Sequence, residues 1–472
     1  FAGTVARELG VFGYRPEVFS DAMAGKRVDV VPNIGTYKRS IVGETSPDHI
    51  DVLLQCTHLI FSNNVENQCN EDDLEVLREI QRELVKNAKR DPIEVFAEIK
   101  RALTYGNSYL SEPITLKTLA KMDAEKACRY FNECFVDPSH FTMVLVGAFD
   151  IEKILPLLEK YIGSIPRPID SKEKLSRVTP APFEFPKKTV SKRVRLKMIE
   201  NQGVASLTFP VMIENPDAKL KQAAIAKGED FNGPTLAGSQ VIVRSKFLTV
   251  ISAAIIERRL LARLRFERGE IYSCAANTSF AYQDPNAANG ESYRGDIMVV
   301  FACDPKSGEK LSKVALEEIE QLISEGPTEE DCQTAKEVEL RSIQEHKEEN
   351  SFWVSYVDAM FTSQLLPVLN GDIDKMYVNT EQIRGDVLET LSPTIIREHL
   401  AKTLAVERRV NVVLIPQRPL FLRLIAPNMD DIKGFFEWPE TFGEACGKLA
   451  LLGGVAGAYF AYAKSKENKK DK

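Results

Sequence analysis

The chain has 472 residues, 44% hydrophobic and 27% charged, a soluble globular composition and more chain than one core of usual size takes up. Its 61 Lys and Arg stand against 68 Asp and Glu, a formal net charge of −7; no basic field attracts phosphates, so nucleic acid is excluded as an expected partner. Eight cysteines, at 56, 69, 128, 134, 274, 303, 332 and 446, show no C-x-x-C pair, which predicts reduced, half-buried thiols and excludes a disulfide framework or zinc ribbon.

In chain order, Phe1 stands without a Met, signal peptide or arginine-rich transit segment before it, and residues 1–9 already read as a helix, so a longer precursor is expected. Residues 46–61 (SPDHIDVLLQCTHLIF) place apolar positions at helical spacing behind a Ser-Pro-Asp start. A further helix opens at Glu71 and resumes at Pro92. Residues 122–135 give another, and Asp137-Pro138-Ser139-His140 then turns into a strand over 141–146. Residues 165–188 are rich in Pro and Lys and read as a linker. Beyond it, residues 193–199 and 205–209 alternate apolar and polar, as strands with one face on helices do. The first helix after these strands is expected at Lys246 and runs over 250–265. Residues 310–323 form an amphipathic helix, Gly326-Pro327-Thr328-Glu329 opens a long polar helix through 352, and 391–404 follows behind a Ser-Pro start. Glu407-Arg408 then turns into the strand 410–415.

Glu71 corresponds to Glu329 and Val144 to Val412, an offset of about 260 residues, so two copies of one unit are expected. The predicted fold class is α+β, with two tandem homologous α/β-sandwich domains, each an antiparallel-rich sheet covered by helices. The expected divisions are a first domain over 1–165, a linker over 166–188, a second domain over 189–427 and a tail over 428–472. The first copy lacks about 50 residues of opening strands that the second shows, which again places the natural start upstream. In the tail, residues 449–463 are uncharged and mostly apolar between Lys448 and Lys464, with Gly453 and Gly457 at G-x-x-x-G spacing. That run is shorter than the roughly 20 residues of a spanning helix, so membrane contact through 446–463 and docking on a partner both stay open.

Five segments together resemble the inverted-motif zinc peptidases, the family of insulinase, pitrilysin and the mitochondrial processing peptidase, and most of all its PqqL-type members. They are LGVFGYRPEVFSDAMAGKRVDVVPNI (9–34), YGNSYLSEPITLKTLAKMDAEK (105–126), FTMVLVGAFD (141–150), RLRFERGEIYS (263–273) and GPTEEDCQTAK (326–336). The resemblance implies half of a clamshell metallopeptidase, closing over a partner half that holds the metal.

The family's H-x-x-E-H helix supplies two imidazoles to zinc and a Glu to activate water. At the corresponding spacing this chain reads Thr4-Val5-Ala6-Arg7-Glu8, without either histidine and with a guanidinium that repels a dication. His399 follows Glu398, half the motif, but Ile395 stands four residues earlier, leaving an expected surface Glu-His pair. His49 and His58 have no fourth ligand nearby and read as satisfied or exposed. Glu75, Glu79 and Glu83, near where the family places its third ligand, read as a solvated face with i,i+4 pairs to Arg78, Arg82 and Lys86.

The candidate site residues are Arg265 and Tyr272. In the two-half members of the family this segment of the last domain resembles R-x-x-x-x-x-G-Y, its Arg and Tyr entering the chamber opposite the zinc; here the seven-residue spacing is kept, with Ile271 in place of the Gly. A phenol can donate to a developing oxyanion, which makes Tyr272 the candidate catalytic and substrate-binding residue. A guanidinium can hold a backbone carbonyl or carboxylate, which makes Arg265 the candidate substrate-binding residue. The plainer alternative is a basic helix end, Arg258, Arg259, Arg263, Arg265 and Arg268, favoured by the helix dipole.

The resemblance therefore implies a substrate-binding, non-metal half of a zinc metalloendopeptidase, inactive alone, with zinc held by the N-terminal partner half. Its substrate would be a peptide or unfolded protein, added as a strand to a sheet edge. An organelle, chloroplast or mitochondrion, is the expected compartment. The alternative is a catalytically inactive structural homologue, like a core protein of an organellar complex.

Overall fold

The computed structural model describes residues 2–35, 38–63, 71–106, 112–167, 184–200, 202–229, 234–266, 269–280, 292–361, 363 and 365–417. The tail from 418, with the apolar run 446–463, and most of the linker lie outside the described residues.

The first helices are α1 (Ala2–Leu9) and α2 (Pro16–Met23), followed by the antiparallel hairpin of β1 (Val28–Ile34) and β2 (Arg39–Thr45). Next come α3 (Ile50–Ser62), α4 (Glu71–Ala88), α5 (Pro92–Tyr105), α6 (Leu116–Leu119), α7 (Ala124–Cys134) and α8 (Ile151–Tyr161). Local chemistry sets their starts: Asp91, Asp123 and Asp150 each accept hydrogen bonds from first-turn amides, and Pro92 fills a position that needs no N–H. Val5, Leu9, Leu54, Cys128, Phe131 and Phe135 form the core between α1, α3 and α7. The strand expected over 141–146 is not formed. β1 and β2 pair with each other, and no described strand lies beside that segment to complete a ladder.

The second sheet has the order β3-β7-β4-β6-β5, built from β3 (Val190–Leu196), β4 (Gly203–Glu214), β5 (Ile271–Phe280), β6 (Ser292–Cys303) and β7 (Val410–Pro416). Its pairs are antiparallel except β3 with β7. Between β4 and β5 run α9 (Ala218–Lys227) and α10 (Leu236–Leu260); between β6 and β7 run α11 (Gly308–Ser324), α12 (Glu329–His346), α13 (Asn350–Phe361), α14 (Leu365–Val368), α15 (Ile373–Thr390) and α16 (Pro393–Thr403).

Alternate residues of β4 and β6, among them Leu207, Phe209, Ile297, Val299 and Phe301, pack in one core with Ile251, Ile255 and Ile256 of α10 and Ile319 of α11. The other face is covered as well, contrary to the one-sided sheet expected from the alternating pattern. Val194, Val410, Val412 and Leu414 pack on Phe96, with Ile99 and Leu103, so α5 from the first part of the chain forms the third layer. Tyr105 donates to Asp296 Oδ2 at 2.6 Å at the end of that layer, and Lys38 Nζ reaches Asp358 Oδ2 of α13 at 2.5 Å.

Two further expectations are corrected. The helical chain before β5 begins at Ala218 and again at Leu236, upstream of Lys246, because Thr235 caps α10 through the Gly238 amide and starts it ten residues early. The long helix expected through 352 breaks between His346 and Asn350, where Trp353 Nε1 donates back to the Lys347 carbonyl at 2.8 Å. That turn lets Trp353 and Tyr356 roll onto Tyr377 of α15. The helix Leu236–Arg265 is long and apolar enough to cross a membrane, and 56% of its most apolar window is buried inside the protein as a core helix.

The six described cysteines, Cys56, Cys128, Cys134, Cys274, Cys303 and Cys332, are free and buried rather than half-buried. Burial pushes the Cys274 thiol up to about 12 and Cys56 to about 11, so these are inert packing groups.

Candidate substrate-binding site

The site is built where α10 ends. Its last turn carries Arg258 and Arg259, and a π-helical turn over Leu261–Phe266 adds Arg263 and Arg265. Three of these guanidiniums are engaged by carboxylates of the next two helices. Arg259 Nε lies 2.6 Å from Glu318 Oε1, and Arg263 Nη1 bonds Glu318 Oε2. Arg258 Nη1 lies 3.8 Å from Asp331 Oδ1, and Arg259 Nη1 3.5 Å from Asp331 Oδ2. The basic helix end is thus real, but Arg258, Arg259 and Arg263 tie α10 to α11 and α12. Arg265, beyond them, is exposed.

The chain then reverses. The Gly269 amide donates to the Arg265 carbonyl at 2.9 Å and the Glu270 amide to the Leu264 carbonyl at 3.0 Å. Each bond spans one residue more than the usual closing pair of an α-helix, as a π-turn requires. Gly269 has φ +63°, a conformation that favours glycine. β5 begins at Ile271 and is bulged at once, since Ile271 pairs with Cys303 but Cys274 with Phe301. Tyr272 sits inside this bulge, a device that re-aims side chains near sites; its backbone is described, and its side chain lies outside the described residues. Arg265 and Tyr272 therefore stand on the two limbs of one helix-to-strand turn. β5 is an edge strand, and the Ala276 amide at that edge donates to Glu257 Oε2 at 2.8 Å.

The residues at the motif position do not fit a zinc ion. On α1, Val5 and Ala6 are fully buried in the core, and Arg7 Nε lies 3.5 Å from Glu8 Oε1. Among the described residues no group of three or more His, Cys, Asp or Glu is arranged to hold a metal. Glu75, Glu79 and Glu83 pair with Arg78, Arg82 and Lys86 as expected, at i,i+3 spacing rather than i,i+4. His58 Nδ1 is 2.7 Å from the Tyr161 carbonyl and His49 Nδ1 2.9 Å from Ser46 Oγ. His399 is not on the surface as its Glu-His pairing suggested. It is 8% exposed, with Nε2 2.9 Å from Thr249 Oγ1, and burial lowers its pKa to about 4.

Residues 121–339 match the family described as the peptidase M16 inactive domain, a segment that holds the whole π-turn, bulge and ion-pair cluster. The chain carries a peptidase M16 inactive domain. It is 31% identical over 423 residues to a protein of Arabidopsis thaliana called "Zinc protease PQQL-like", an alignment covering 89% of this chain and 38% of that protein. The chain thus spans well under half the length of that relative. The periplasmic protease PqqL from Escherichia coli has the same fold, with a TM-score of 0.62 at 15% identity over 88% of this chain and 40% of that one. A chain of Complex III2 from Candida albicans shares it too, at TM-score 0.54 and 14% identity over 87% and 86% of the two chains. The M16 inactive domain agrees with the family read from the five sequence segments. The mixed helix and antiparallel-rich sheet fold expected of that family is the fold observed.

Proposed function

We propose that this chain is the substrate-gripping, non-metal half of a zinc metalloendopeptidase. The observation that carries the reading is the helix-to-strand turn of the M16 inactive domain, which presents Arg265 and Tyr272 on adjoining limbs. A peptide carbonyl under hydrolytic attack develops charge on its oxygen, and a neutral phenol aimed at that position stabilises it. Arg265 offers fixed N–H donors to a neighbouring backbone carbonyl or carboxylate, setting the peptide's register. In this reading zinc belongs to an N-terminal partner half, and the substrate is a peptide or unfolded protein. The sheet has two edges, β3 and β5. A strand added to β5 has to displace Glu257 from the Ala276 amide or pair beyond it.

The test combines this chain with the part of the Arabidopsis relative that it does not match. Peptide hydrolysis is expected from the combination and not from the chain alone, and metal analysis of the isolated chain is expected to find no stoichiometric zinc. One zinc per isolated chain, or cleavage by it, defeats the proposal. The likeness to a Complex III2 chain favours a second reading, an inactive structural subunit in an organellar complex. Stable association with the other part without hydrolysis of any peptide would favour that reading. An organelle is the proposed compartment on either account.

A further inference from the structure

The turn that bears Arg265 and Tyr272 is gripped by one buried carboxylate. Glu318 on α11 is 4% exposed, and each of its oxygens is committed to a different guanidinium. Oε1 takes Arg259 Nε at 2.6 Å from the last turn of α10; Oε2 takes Arg263 Nη1 from inside the π-turn. A carboxylate is seldom buried without such pairing, because desolvation costs more than one exposed ion pair returns.

We propose that Glu318 is a positioning residue for the substrate turn: it holds the π-turn open and so sets the direction of Arg265 and the backbone course that leads to Tyr272. What those two side chains do rests on the reading above; what Glu318 does rests on the geometry. A π-turn contains one residue more than an α-turn, so its relaxation to α geometry rotates every later position about the helix axis by about 100°. Arg265 is one of those positions, and the wide closing bonds from Gly269 and Glu270 depend on the same extra residue. Arg259 supplies the fixed jaw of the clamp, braced by Asp331, whose Oδ2 also accepts from the Thr328 amide at 3.0 Å to cap α12. Arg263 supplies the jaw inside the turn. Without Glu318, nothing else in α11 within salt-bridge reach of Arg263 is buried, since its other partner, Glu317 at 3.7 Å, is 62% exposed.

The experiment uses the full chain carrying Glu318→Gln, with Glu318→Ala as the larger lesion, and follows hydrogen exchange by NMR. The Gly269 and Glu270 amides close the π-turn, whereas the Ala276 amide is held by Glu257 and serves as a reference. Exchange at Gly269 and Glu270 is expected to rise at least about tenfold while Ala276 and β6 stay within about twofold. Unchanged exchange at the two closing amides overturns the proposal, and so does a uniform rise across the sheet, which a merely structural carboxylate produces. Glu318→Gln keeps the volume and one acceptor, so it folds even where Glu318→Ala does not.

A second measurement joins the chain to its metal-bearing half. If Glu318 acts through the turn that bears Arg265 and Tyr272, Glu318→Gln lowers kcat/KM in the native background but adds no more than about twofold loss on top of the double variant Arg265→Ala, Tyr272→Phe. Additive losses overturn the proposed route. If Arg265→Ala and Tyr272→Phe leave hydrolysis untouched, the functional reading has failed, and the exchange data still decide what Glu318 does to the turn.

Discussion

Asp296 is 4% exposed on β6, yet it carries a carboxyl group, and Tyr105 donates to it from 191 residues away in sequence. Burial pushes that carboxyl above the ordinary carboxylate range, while Tyr105 and Lys100 pull it part of the way back. Tyr105→Phe removes the donor and is expected to cost about 1–3 kcal/mol by urea unfolding. Asp296→Asn keeps an acceptor and removes the charge, so stability at pH 7 should not fall by more than about 1 kcal/mol; equal losses in both variants would contradict this account. His399 gives a pH dependence of known sign. Its pKa is depressed from 6.5 to about 4, so the unfolded chain binds the proton first as pH falls. The stability is fully present above pH 6.5 and is lost through the window from 6.5 to about 4, at most about 3 kcal/mol. Comparing urea midpoints at pH 7 and 5 checks it, and His399→Gln should flatten the difference. On the proposed function, Tyr272→Phe in this chain combined with a metal-bearing half is expected to lower kcat by about 10- to 1,000-fold. An unchanged kcat removes Tyr272 from the mechanism. That Arg265 and Tyr272 stand close together could be read from the sequence, because both lie in one local turn. Glu318 could not, because its partners Arg259 and Arg263 are 59 and 55 residues away.

At the scale of elements, the sequence periodicity located α1, α3, α4, α5, α7, α11, α16 and the start of α12 to within a few residues, helped by capping residues such as Asp91, Asp123 and Thr328, and it named no helix at α2, α8, α9 or α15. What it missed were features set by distant contacts. The break before α13 answers to the aromatic contacts with α15, and the bulge in β5 answers to its register on β6. The π-turn has no sequence signature of its own, and its closing bonds from the Gly269 and Glu270 amides identify it. Gly269 is the position where this turn can be tested apart from any partner. A Cβ there meets open space, so Gly269→Ala brings strain from φ +63° and no clash. It should cost about 1–2 kcal/mol, read as a lowered Tm. A neutral or stabilising effect would mean that the turn is not held in this conformation.

Across the whole molecule, the least legible feature was the cover of the second sheet. The alternating strands predicted one face on helices, and nothing local announced that α5 would supply the other layer from about 90 residues before β3. That contact makes a prediction for proteolysis. A cut within 168–183 should leave two fragments that co-elute on size exclusion, because Phe96, Ile99 and Leu103 stay seated on Val410, Val412 and Leu414. Separation of the fragments without denaturant would show the interface to be too weak for the layer described.

The position of β7 has its own consequence. The last described strand lies second in the sheet, between β3 and β4, so β3 has no partner and β4 is paired on its β6 side alone until residues 410–416 leave the ribosome. Until then α5 has no completed surface to cover, and its apolar side waits through translation of some 300 residues. The nascent chain therefore keeps apolar surface uncovered almost to the end of this segment, and a stop codon just before Val410 should yield an insoluble product, although it deletes no residue of the turn between α10 and β5.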